Sequence, residues 1–505
     1  MEKRSERLYT AQQIRSLEKH FASAMGISML QMMSRAGAAA FAELKACWPT
    51  AQRILVICGP GRNGGDGYVL ARIAKEQHMD VDVVSLSPVS KLKGDTRRVY
   101  EDFLRIGGKV EETLASRGRS HDVVVDAIFG IGLGRSLEGV YKEAVRRLSV
   151  SKTPVMAIDL PTGLMADSGA INEVCLPATL TVTFIGLKAG LYTGHGPAYA
   201  GKVALASLDA PHDVFDEVDN VARLLTGRRV ARVLKPRQRD AHKGLHGHVL
   251  VVGGGSTSYP GAVLLTAEAA LRAGAGKVTV AMNPAFITSV VARCPEVVAV
   301  PISRPSDIEG LLNQVDVVAI GPGLREDTWA EAMVRAVWPS RIPAVVDADA
   351  LNCLARMPRK RRNWVLTPHP GEAARLLPDY EDIDEIQQDR LGAAETMSDR
   401  YGGVVVLKGA GTVVDDGRNI PWVCDRGNPG LATAGMGDVL TGLIAGILGQ
   451  YGNCLDAAKI GVWIHATAAD ELAEDQGERG LMATDLLPYI QAKVNPSHFT
   501  ELDKL

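Results

Sequence analysis

The stretch 427–446, GNPGLATAGMGDVLTGLIAG, is a glycine-broken segment that leads into an apolar helix. The helix is predicted to begin at Gly435-Met436-Gly437-Asp438. Its unpaired N–H groups and its dipole would favour an anion such as phosphate there. A carboxylate at the rim of an anion hole is well placed to act as general base on a hydroxyl, so Asp438 is a candidate catalytic residue. The alternative is that Asp438 only caps the helix.

Outward from this helix, short apolar runs alternate with helical segments, which predicts parallel sheets covered on both faces. Residues 210–240 lose this periodicity and turn basic, which indicates an interdomain connection. We therefore expect an α/β protein with domains at 1–225 and 226–505. The predicted strands are 53–58, 81–86, 122–129, 154–159, 179–185, 248–253, 276–282, 316–321, 343–349, 363–367 and 403–409; the predicted helices include 10–22, 28–46 and 262–274.

Composition excludes several classes of function. The 505 residues are 46% hydrophobic and 23% charged with a net charge of −2, so neither a nucleic-acid nor a membrane partner is expected. Seven cysteines are scattered without CxxC spacing, which fits a reducing cytoplasm. The N-terminal MEKRSERLYTAQQ lacks an apolar signal-peptide core, and no apolar run reaches the ~18 residues needed to span a bilayer.

The first glycine-rich segment, GPGRNGGDG at 59–67, follows a predicted strand and matches GxGxxG by spacing. Two features argue against a redox dinucleotide domain. The next strand ends in Ser85-Leu86-Ser87 without an acid to hold a ribose, and Asp66 at the predicted helix start would repel a pyrophosphate. We therefore expect a polar, hydroxylated or cation-assisted ligand.

Acidic residues end two of the predicted strands in this half, Asp126 and Asp159. In an open α/β sheet the ligand crevice lies outside the carboxyl ends of the strands, so both acids and the 59–67 segment should share one edge. Both are candidate catalytic residues; the alternative for each is an ordinary turn acid.

The second half has its own polar strand ends. Asp347 and Asp349 alternate, so they should share one face of a strand end. His369 lies between two prolines that fix the backbone, with a structural role as the alternative. The turn 408–412, KGAGT, combines a lysine with glycines that permit close phosphate approach, or is an ordinary hairpin. No GxxxxGK[ST] motif occurs, so a Walker-type NTPase is excluded.

The motifs NGGDG (63–67), VDAIFGIGLGR (125–135) and DLPTGLMADSG (159–169) resemble the Rossmann-like, YjeF-type domain of the NAD(P)H-hydrate epimerases. The resemblance implies a potassium ion on Asn63, Asp126 and Thr162. Thr162 replaces the usual serine but keeps the hydroxyl oxygen. It also implies a substrate site at Asn63, Gly64, Gly65, Asp66, Gly67, Gly130, Ile131, Gly132, Leu133, Gly134, Arg135, Ser136, Tyr141 and Asp159.

The motifs HKGLHGHVLVVGGG (242–255), LTPHPGE (366–372) and NPGLATAGMGDVLTG (428–442) resemble the ribokinase-like ADP/ATP-dependent NAD(P)H-hydrate dehydratases. The resemblance implies ADP or ATP as co-substrate together with Mg²⁺. It implies substrate contacts at Ala262, Gly323, His369 and Asp438, and nucleotide contacts at Lys408, Gly409, Ala410, Gly411, Thr412 and Gly437.

Together the two resemblances imply a bifunctional repair enzyme for NADHX and NADPHX, the hydrated forms of NADH and NADPH. Phosphorylating the added hydroxyl would turn it into a good leaving group, and an epimerase would supply the epimer that the dehydratase accepts. One alternative is a small-metabolite kinase that stops at phosphoryl transfer. A nucleotide-sensing or scaffold protein is the non-enzymatic alternative. The sequence leaves the oligomeric state open, a homo-oligomer included.

Overall fold

The protein is described by a computed structural model that covers residues 6–114, 120–134, 136–255 and 259–495. The chain divides into two compact units, Met1–Arg223 and Leu224–Leu505. Each unit has its own α/β arrangement, and each is described by itself. Within the described ranges no helix is both long and apolar enough to cross a membrane.

The boundary between the units lies within β10, and the first unit contains the elements from β1 to β10. They are β1 (Arg7–Tyr9), α1 (Ala11–Met25), α2 (Met29–Cys47), β2 (Arg53–Cys58), α3 (Arg62–Glu76), β3 (Asp80–Ser85), α4 (Gly94–Arg105), β4 (Val110–Glu111), β5 (Val123–Ala127), α5 (Gly139–Ser149), β6 (Val155–Ile158), β7 (Leu180–Phe184), β8 (Leu187–Lys188), α6 (Gly196–Tyr199), β9 (Lys202–Ala206) and β10 (Ala222–Leu224).

A parallel sheet with the strand order β4-β3-β2-β5-β6-β7-β9 forms the centre of this unit. Its inner strands are continuous apolar runs because helices cover the sheet on both faces. The carboxyl ends of β2, β5 and β6 lie side by side, which brings the segments that follow them to one edge. This is the Rossmann-like arrangement expected from the sequence.

The second unit contains the remaining elements. They are α7 (Gly227–Val233), β11 (His248–Val252), α8 (Pro260–Arg272), β12 (Lys277–Met282), α9 (Ile287–Arg293), β13 (Val298–Pro301), α10 (Ser306–Leu312), β14 (Val317–Ile320), α11 (Thr328–Val337), β15 (Ala344–Val346), α12 (Ala348–Arg356), β16 (Trp364–Leu366), α13 (Pro370–Leu376), α14 (Ile383–Gln388), α15 (Arg390–Tyr401), β17 (Val404–Leu407), β18 (Thr412–Asp415), β19 (Trp422–Cys424), α16 (Met436–Tyr451), α17 (Cys454–Gln476) and α18 (Leu486–Lys493).

The sheet of this unit has the order β13-β12-β11-β14-β15-β16-β17-β18-β19 and is parallel from β13 to β17. Strands β18 and β19 continue it in antiparallel pairing. Helix α16 is buried along most of its length and packs against α8 and α17. Glycines allow this contact, since a Cβ at Gly442 would overlap the carbonyl of Thr266 on α8.

Two local predictions are wrong. Residues 63–67 are not a loop: α3 begins at Arg62, so Asp66 lies in the second turn rather than at the helix start. Asp347 and Asp349 do not share a strand face, because β15 ends at Val346; Asp347 is the N-cap of α12 and Asp349 lies in its first turn. The stretch 210–240, predicted as the interdomain connection, contains the boundary between the two units and the short helix α7.

Candidate active sites

In the first unit, Asp126 and Asp159 lie on one edge of the sheet, as predicted. Asp126 is the penultimate residue of β5, Asp159 directly follows β6, and these strands are parallel neighbours. Helix α3, which carries the 63–67 segment, follows the adjacent strand β2 at the same edge. The three sequence motifs therefore converge on one edge of the sheet.

Asp126 is fully buried and hydrogen-bonded to Thr162. The Thr162 hydroxyl donates to Asp126 Oδ1 over 2.7 Å, and the Thr162 backbone N–H donates to Oδ2 over 2.8 Å. A third donor is the backbone N–H of Ile128, at 3.2 Å from Oδ1. Burial raises the pKa of Asp126 to about 6, although these hydrogen bonds lower it. A nearby cation would favour the ionised form.

Asn63, another predicted potassium ligand, lies in the first turn of α3. Its side chain is buried, yet among the described residues neither its amide oxygen nor its amide nitrogen has a hydrogen-bond partner. A buried polar group normally has a partner, so its absence indicates that something else satisfies this amide. An oxygen-liganded cation fits, since Asn63, Asp126 and Thr162 all offer oxygen atoms.

Asp159 is held by a lysine that the sequence analysis did not assign. Lys188 is fully buried, and its Nζ lies 2.6 Å from Asp159 Oδ1. The same ammonium donates to the Thr183 hydroxyl and to the carbonyl of Phe184. Asp159 Oδ2 accepts from the N–H of Ile131 at 3.1 Å. Asp159 has φ +70°, a conformation that non-glycine residues rarely adopt, which is typical of functional sites.

The predicted substrate segment 130–136 borders a cavity of about 730 Å³. Gly132, Leu133, Gly134, Ser136 and Tyr141 all line it. The Tyr141 ring packs edge-to-face on Phe129, with centroids 4.9 Å apart. The structure thus brings Tyr141 on α5 together with the glycine-rich segment, while Arg135 lies outside the described residues. Gly130 lies against Asp159, where a Cβ would overlap the carboxylate.

Asp66, another predicted substrate contact, lies in an acidic environment. Burial raises its pKa well above the usual value, and the charges of Asp159 and Glu18 add to the effect. Asp66 and Glu18 line the same small cavity of about 50 Å³, together with Arg62 and Met33. Glu18 is on α1, outside every motif that the sequence analysis identified.

In the second unit, Asp438 lies in the first turn of α16, as predicted. The N-cap is Gly435 with φ +92°, and the side chain of Asp438 is partly exposed at the helix start. Burial raises the pKa of Asp438 to about 7, and the nearby Asp347 adds to this while Lys408 opposes it. A carboxyl group with a pKa near neutrality can take up and release a proton during catalysis.

Lys408 lies beside this helix start. Its Nζ is 2.8 Å from Asp347 Oδ1, and a Cβ at Gly437 would lie 3.3 Å from Nζ. Asp347 is itself fixed by the Thr441 hydroxyl on α16, which donates to Oδ2 over 2.7 Å. The structure therefore brings two predicted nucleotide contacts, Lys408 and Gly437, to one place and shows how the lysine is oriented.

The predicted nucleotide turn 408–412 connects the antiparallel strands β17 and β18. Gly409 and Gly411 have φ +135° and +67°, which explains the glycines. Arg390, fully buried on α15, donates to the carbonyls of Leu407, Lys408 and Gly411 at 2.9, 3.2 and 3.4 Å. The turn is thus braced from within the protein, by an arginine that sequence reasoning missed.

His369 is the N-cap of α13, and its Nδ1 accepts from the backbone N–H groups of Gly371 and Glu372. The ring is therefore neutral with its proton on Nε2, in keeping with a pKa lowered by burial and by Lys408. Nε2 lies 3.5 Å from Glu372 Oε1. Burial raises the pKa of Glu372 to about 7. His369 is thus a structural N-cap whose ring is half-exposed.

The last two predicted substrate contacts, Ala262 and Gly323, are neighbours. A Cβ at Gly323 would lie 3.4 Å from Ala262 Cβ and would crowd the carbonyl of Tyr259. Gly323 has φ +59°, and its carbonyl accepts from the N–H of Gly254 at 3.1 Å. The glycine-rich segment after β11 and the GPG turn after β14 therefore meet at the N-terminal end of α8.

Both the fold and the arrangement at the start of α16 define a ribokinase-like α/β protein in the second unit. A ribokinase-like superfamily protein from Enterococcus faecalis superposes on 54% of this chain and 94% of its own, with a TM-score of 0.50 and 27% identity. A family model described as NAD(P)H-hydrate dehydratase matches residues 249–492, and one described as YjeF-related protein N-terminus matches residues 29–190.

Curated relatives match nearly the whole chain. The bifunctional NAD(P)H-hydrate repair enzyme Nnr of Coxiella burnetii is 43% identical over 97% of this chain and 99% of its own length. The enzyme of the same name from Vibrio cholerae is 41% identical over 96% of this chain and 98% of its own. The chain therefore belongs to the family of bifunctional NAD(P)H-hydrate repair enzymes, with an epimerase domain followed by a dehydratase domain.

Proposed function

We propose that the second unit dehydrates the S epimer of NADHX or NADPHX with ADP or ATP as phosphoryl donor. The observation that carries this proposal is Asp438, a carboxyl group with a pKa of about 7 in the first turn of α16, next to an oriented lysine. A kinase-like site of this kind can activate a hydroxyl and stabilise the phosphoryl group in transfer.

Asp438 takes the proton from the ring hydroxyl. The hydroxyl oxygen attacks the terminal phosphorus of the nucleotide, and the bond from that phosphorus to the leaving phosphate oxygen breaks. The electron pair of the ring nitrogen then expels the new phosphate ester as phosphate. Loss of a proton from the adjacent carbon restores the reduced ring. Lys408, held by Asp347 at 2.8 Å, and Gly437 face the nucleotide phosphates in this proposal.

The other predicted residues bind the two substrates. Residues 408–412 approach the nucleotide through a glycine turn that Arg390 braces. Ala262 and Gly323 form one wall for the hydrated dinucleotide, and His369 offers its protonated Nε2 as a donor. These assignments are supported by the proximity of Ala262 to Gly323 and of Lys408 to Gly437.

Mg²⁺ in this proposal arrives with the nucleotide. Among the described residues no group of three or more His, Cys, Asp or Glu side chains could hold a metal ion. This fits Mg²⁺, which keeps several waters and is bound mainly through substrate phosphates. The ion would offset the negative charge on those phosphates.

We propose that the first unit interconverts the R and S epimers, with potassium held by Asn63, Asp126 and Thr162. The unpartnered, buried amide of Asn63 supports the ion, and so does the buried Asp126 carboxylate. The ion would supply positive charge close to the substrate. Asp159, at 2.6 Å from Lys188, contacts the substrate and moves its protons.

The proposal is tested by incubating the full chain with a mixture of NADHX epimers and either ADP or ATP. Recovery of reduced-ring absorbance from both epimers is expected, and none without nucleotide. A small-metabolite kinase would consume nucleotide without restoring absorbance, which would contradict the proposal. NADPHX in a parallel assay measures the preference between the two substrates.

We further propose a cytoplasmic location, where both nucleotides and reduced cofactors occur. All seven cysteines are free, in keeping with a reducing compartment. The proposed partners are the small-molecule substrates and nucleotides, and the oligomeric state, a homo-oligomer included, stays open.

A further inference from the structure

Helix α1 lies along the epimerase crevice, although no predicted site residue is on it. Arg15 Nη2 donates to the carbonyl of Ile131 at 2.9 Å, so α1 contacts the second substrate segment. Three residues later, on the same face, Glu18 Oε2 lies 3.4 Å from Nη1 of Arg62, the first residue of α3. The Arg15–Glu18 face of α1 therefore bridges the two predicted substrate-binding segments.

The position of Glu18 relative to Asp159 follows from the same contacts. Ile131 accepts from Arg15 through its carbonyl and donates to Asp159 Oδ2 through its N–H, at 3.1 Å. Glu18 also lines the small cavity that Asp66 lines, and its side chain is 21% exposed. Glu18 is thus a partly exposed carboxyl group on α1, a helix that Ile131 links to Asp159.

The electrostatic environments of the two carboxyl groups differ. Asp159 forms a direct ion pair with Lys188, whose Nζ lies 2.6 Å from Oδ1. Burial raises the pKa of Glu18, and the negative charge of Asp159 raises it further. The charged groups that face Glu18 are Asp159, Asp66, Lys188, Arg62 and Arg15, of which the three cations oppose the rise. An ion-paired carboxylate and a second carboxyl group with a raised pKa therefore interact electrostatically here, a combination that acid–base catalysis can use.

We propose that Glu18 is a catalytic proton donor of the epimerase and acts together with Asp159 as the base. The proposal rests on the proposed epimerase function of this unit and adds to it a second proton-transfer group, on an element that no motif covers.

The added hydroxyl and the ring nitrogen share one carbon, so the ring can open and close there. Asp159 takes the hydroxyl proton, the oxygen electron pair forms a C=O bond, and the bond from that carbon to the ring nitrogen breaks. Glu18 gives its proton to the nitrogen, which leaves an aldehyde and an N–H group. After rotation about the adjacent C–C bond, the nitrogen attacks the other face of the carbonyl. Glu18 recovers its proton and Asp159 returns one to the oxygen, so both groups end as they began.

The test uses the full chain without nucleotide, so that the dehydratase is idle. Purified R epimer is supplied, and the S epimer is measured by chromatography with spontaneous conversion subtracted. Glu18→Gln is expected to lower kcat by about 10²–10⁴-fold, the usual loss for acid–base groups. Glu101→Gln is the matched control, because Glu101 is an exposed glutamate on α4 paired with Arg97, and it should convert at the wild-type rate.

The pH profile separates proton transfer from a structural role. Wild-type kcat should fall at high pH as Glu18 loses its proton, and Glu18→Gln should lose this dependence. Glu18→Asp should restore part of the rate. Near wild-type kcat in Glu18→Gln overturns the proposal. A higher KM with unchanged kcat and an unchanged high-pH limb also overturns it.

A far-UV circular dichroism spectrum and a thermal unfolding profile that match the wild type confirm that the first unit of each variant is folded. Absence of catalysed interconversion in the wild type would instead contradict the proposed function of the unit.

Discussion

The pKa of Asp438 gives a quantitative prediction for the dehydratase. If the base titrates at about 7, kcat/KM with the S epimer should rise as the pH increases through that value and then level off. At about pH 5 only about 1% of Asp438 would be ionised, so the rate should be about 100-fold below its plateau. A carboxyl group with an ordinary aspartate pKa would remain largely ionised at that pH, and the rate would hardly change. Asp438→Asn should lower the plateau by about 10²–10⁴-fold.

The pH limb, which is the rise of kcat/KM with increasing pH, should be shifted in opposite directions by two neighbouring charges. Lys408 lowers the pKa of Asp438, so Lys408→Gln should move the limb to higher pH. Asp349 raises it, so Asp349→Asn should move the limb to lower pH. The assay follows reduced-ring absorbance at several pH values with subsaturating substrate. A rate already at its plateau at about pH 5, or a shift of both variants in the same direction, would refute Asp438 as the base.

Three further predictions concern the rest of the chain. Gly411→Val forces a β-branched residue into a φ of +67°, so nucleotide affinity measured by calorimetry should fall while epimerisation is unchanged. Thr162→Val removes the hydroxyl, one of three donors to buried Asp126, and should lower the free energy of unfolding by about 1–3 kcal/mol, measured by urea denaturation in the absence of potassium. The two units should work independently. Asp438→Asn should abolish dehydration and spare epimerisation, while Asp126→Ala should leave the R epimer to accumulate. Loss of both activities from either change in a folded protein would contradict independence.

The strands were predicted well because parallel strands buried on both faces are continuous apolar runs, such as RILVIC at 53–58 and HVLVVG at 248–253. The start of α3 was missed because glycines usually indicate a loop. In the structure these glycines serve close packing: a Cβ at Gly64 would overlap the carbonyl of Gly59, and one at Gly67 would overlap the Ala127 side chain. A contact of this kind is tertiary, so the local sequence does not reveal it.

The residues that act on other side chains were harder to predict than the motif residues themselves. Lys188, Arg390 and Glu18 belong to no short pattern with their partners. Lys188 meets Asp159 only because β6 and β7 are adjacent in the sheet. The sequence indicated Asp347 for a different reason, as an acid at a strand end. Its contact with Lys408 follows from its position as the N-cap of α12. Tertiary contacts of this kind set the electrostatic environment of the site residues. A short motif shows only which residues are present.

Both units use the same electrostatic arrangement for a related chemical task. In each, a lysine lies within 3 Å of one carboxylate, Lys188 with Asp159 at 2.6 Å and Lys408 with Asp347 at 2.8 Å. Next to each pair, burial and a neighbouring carboxylate raise the pKa of another carboxyl group, Glu18 in the first unit and Asp438 in the second. The lysine pairs with one carboxylate, and the charge of that carboxylate raises the pKa of the other carboxyl group. Both reactions move protons on the carbon–oxygen centre beside the ring nitrogen. The two units therefore share one arrangement, in which a carboxylate paired with a lysine raises the pKa of a neighbouring carboxyl group.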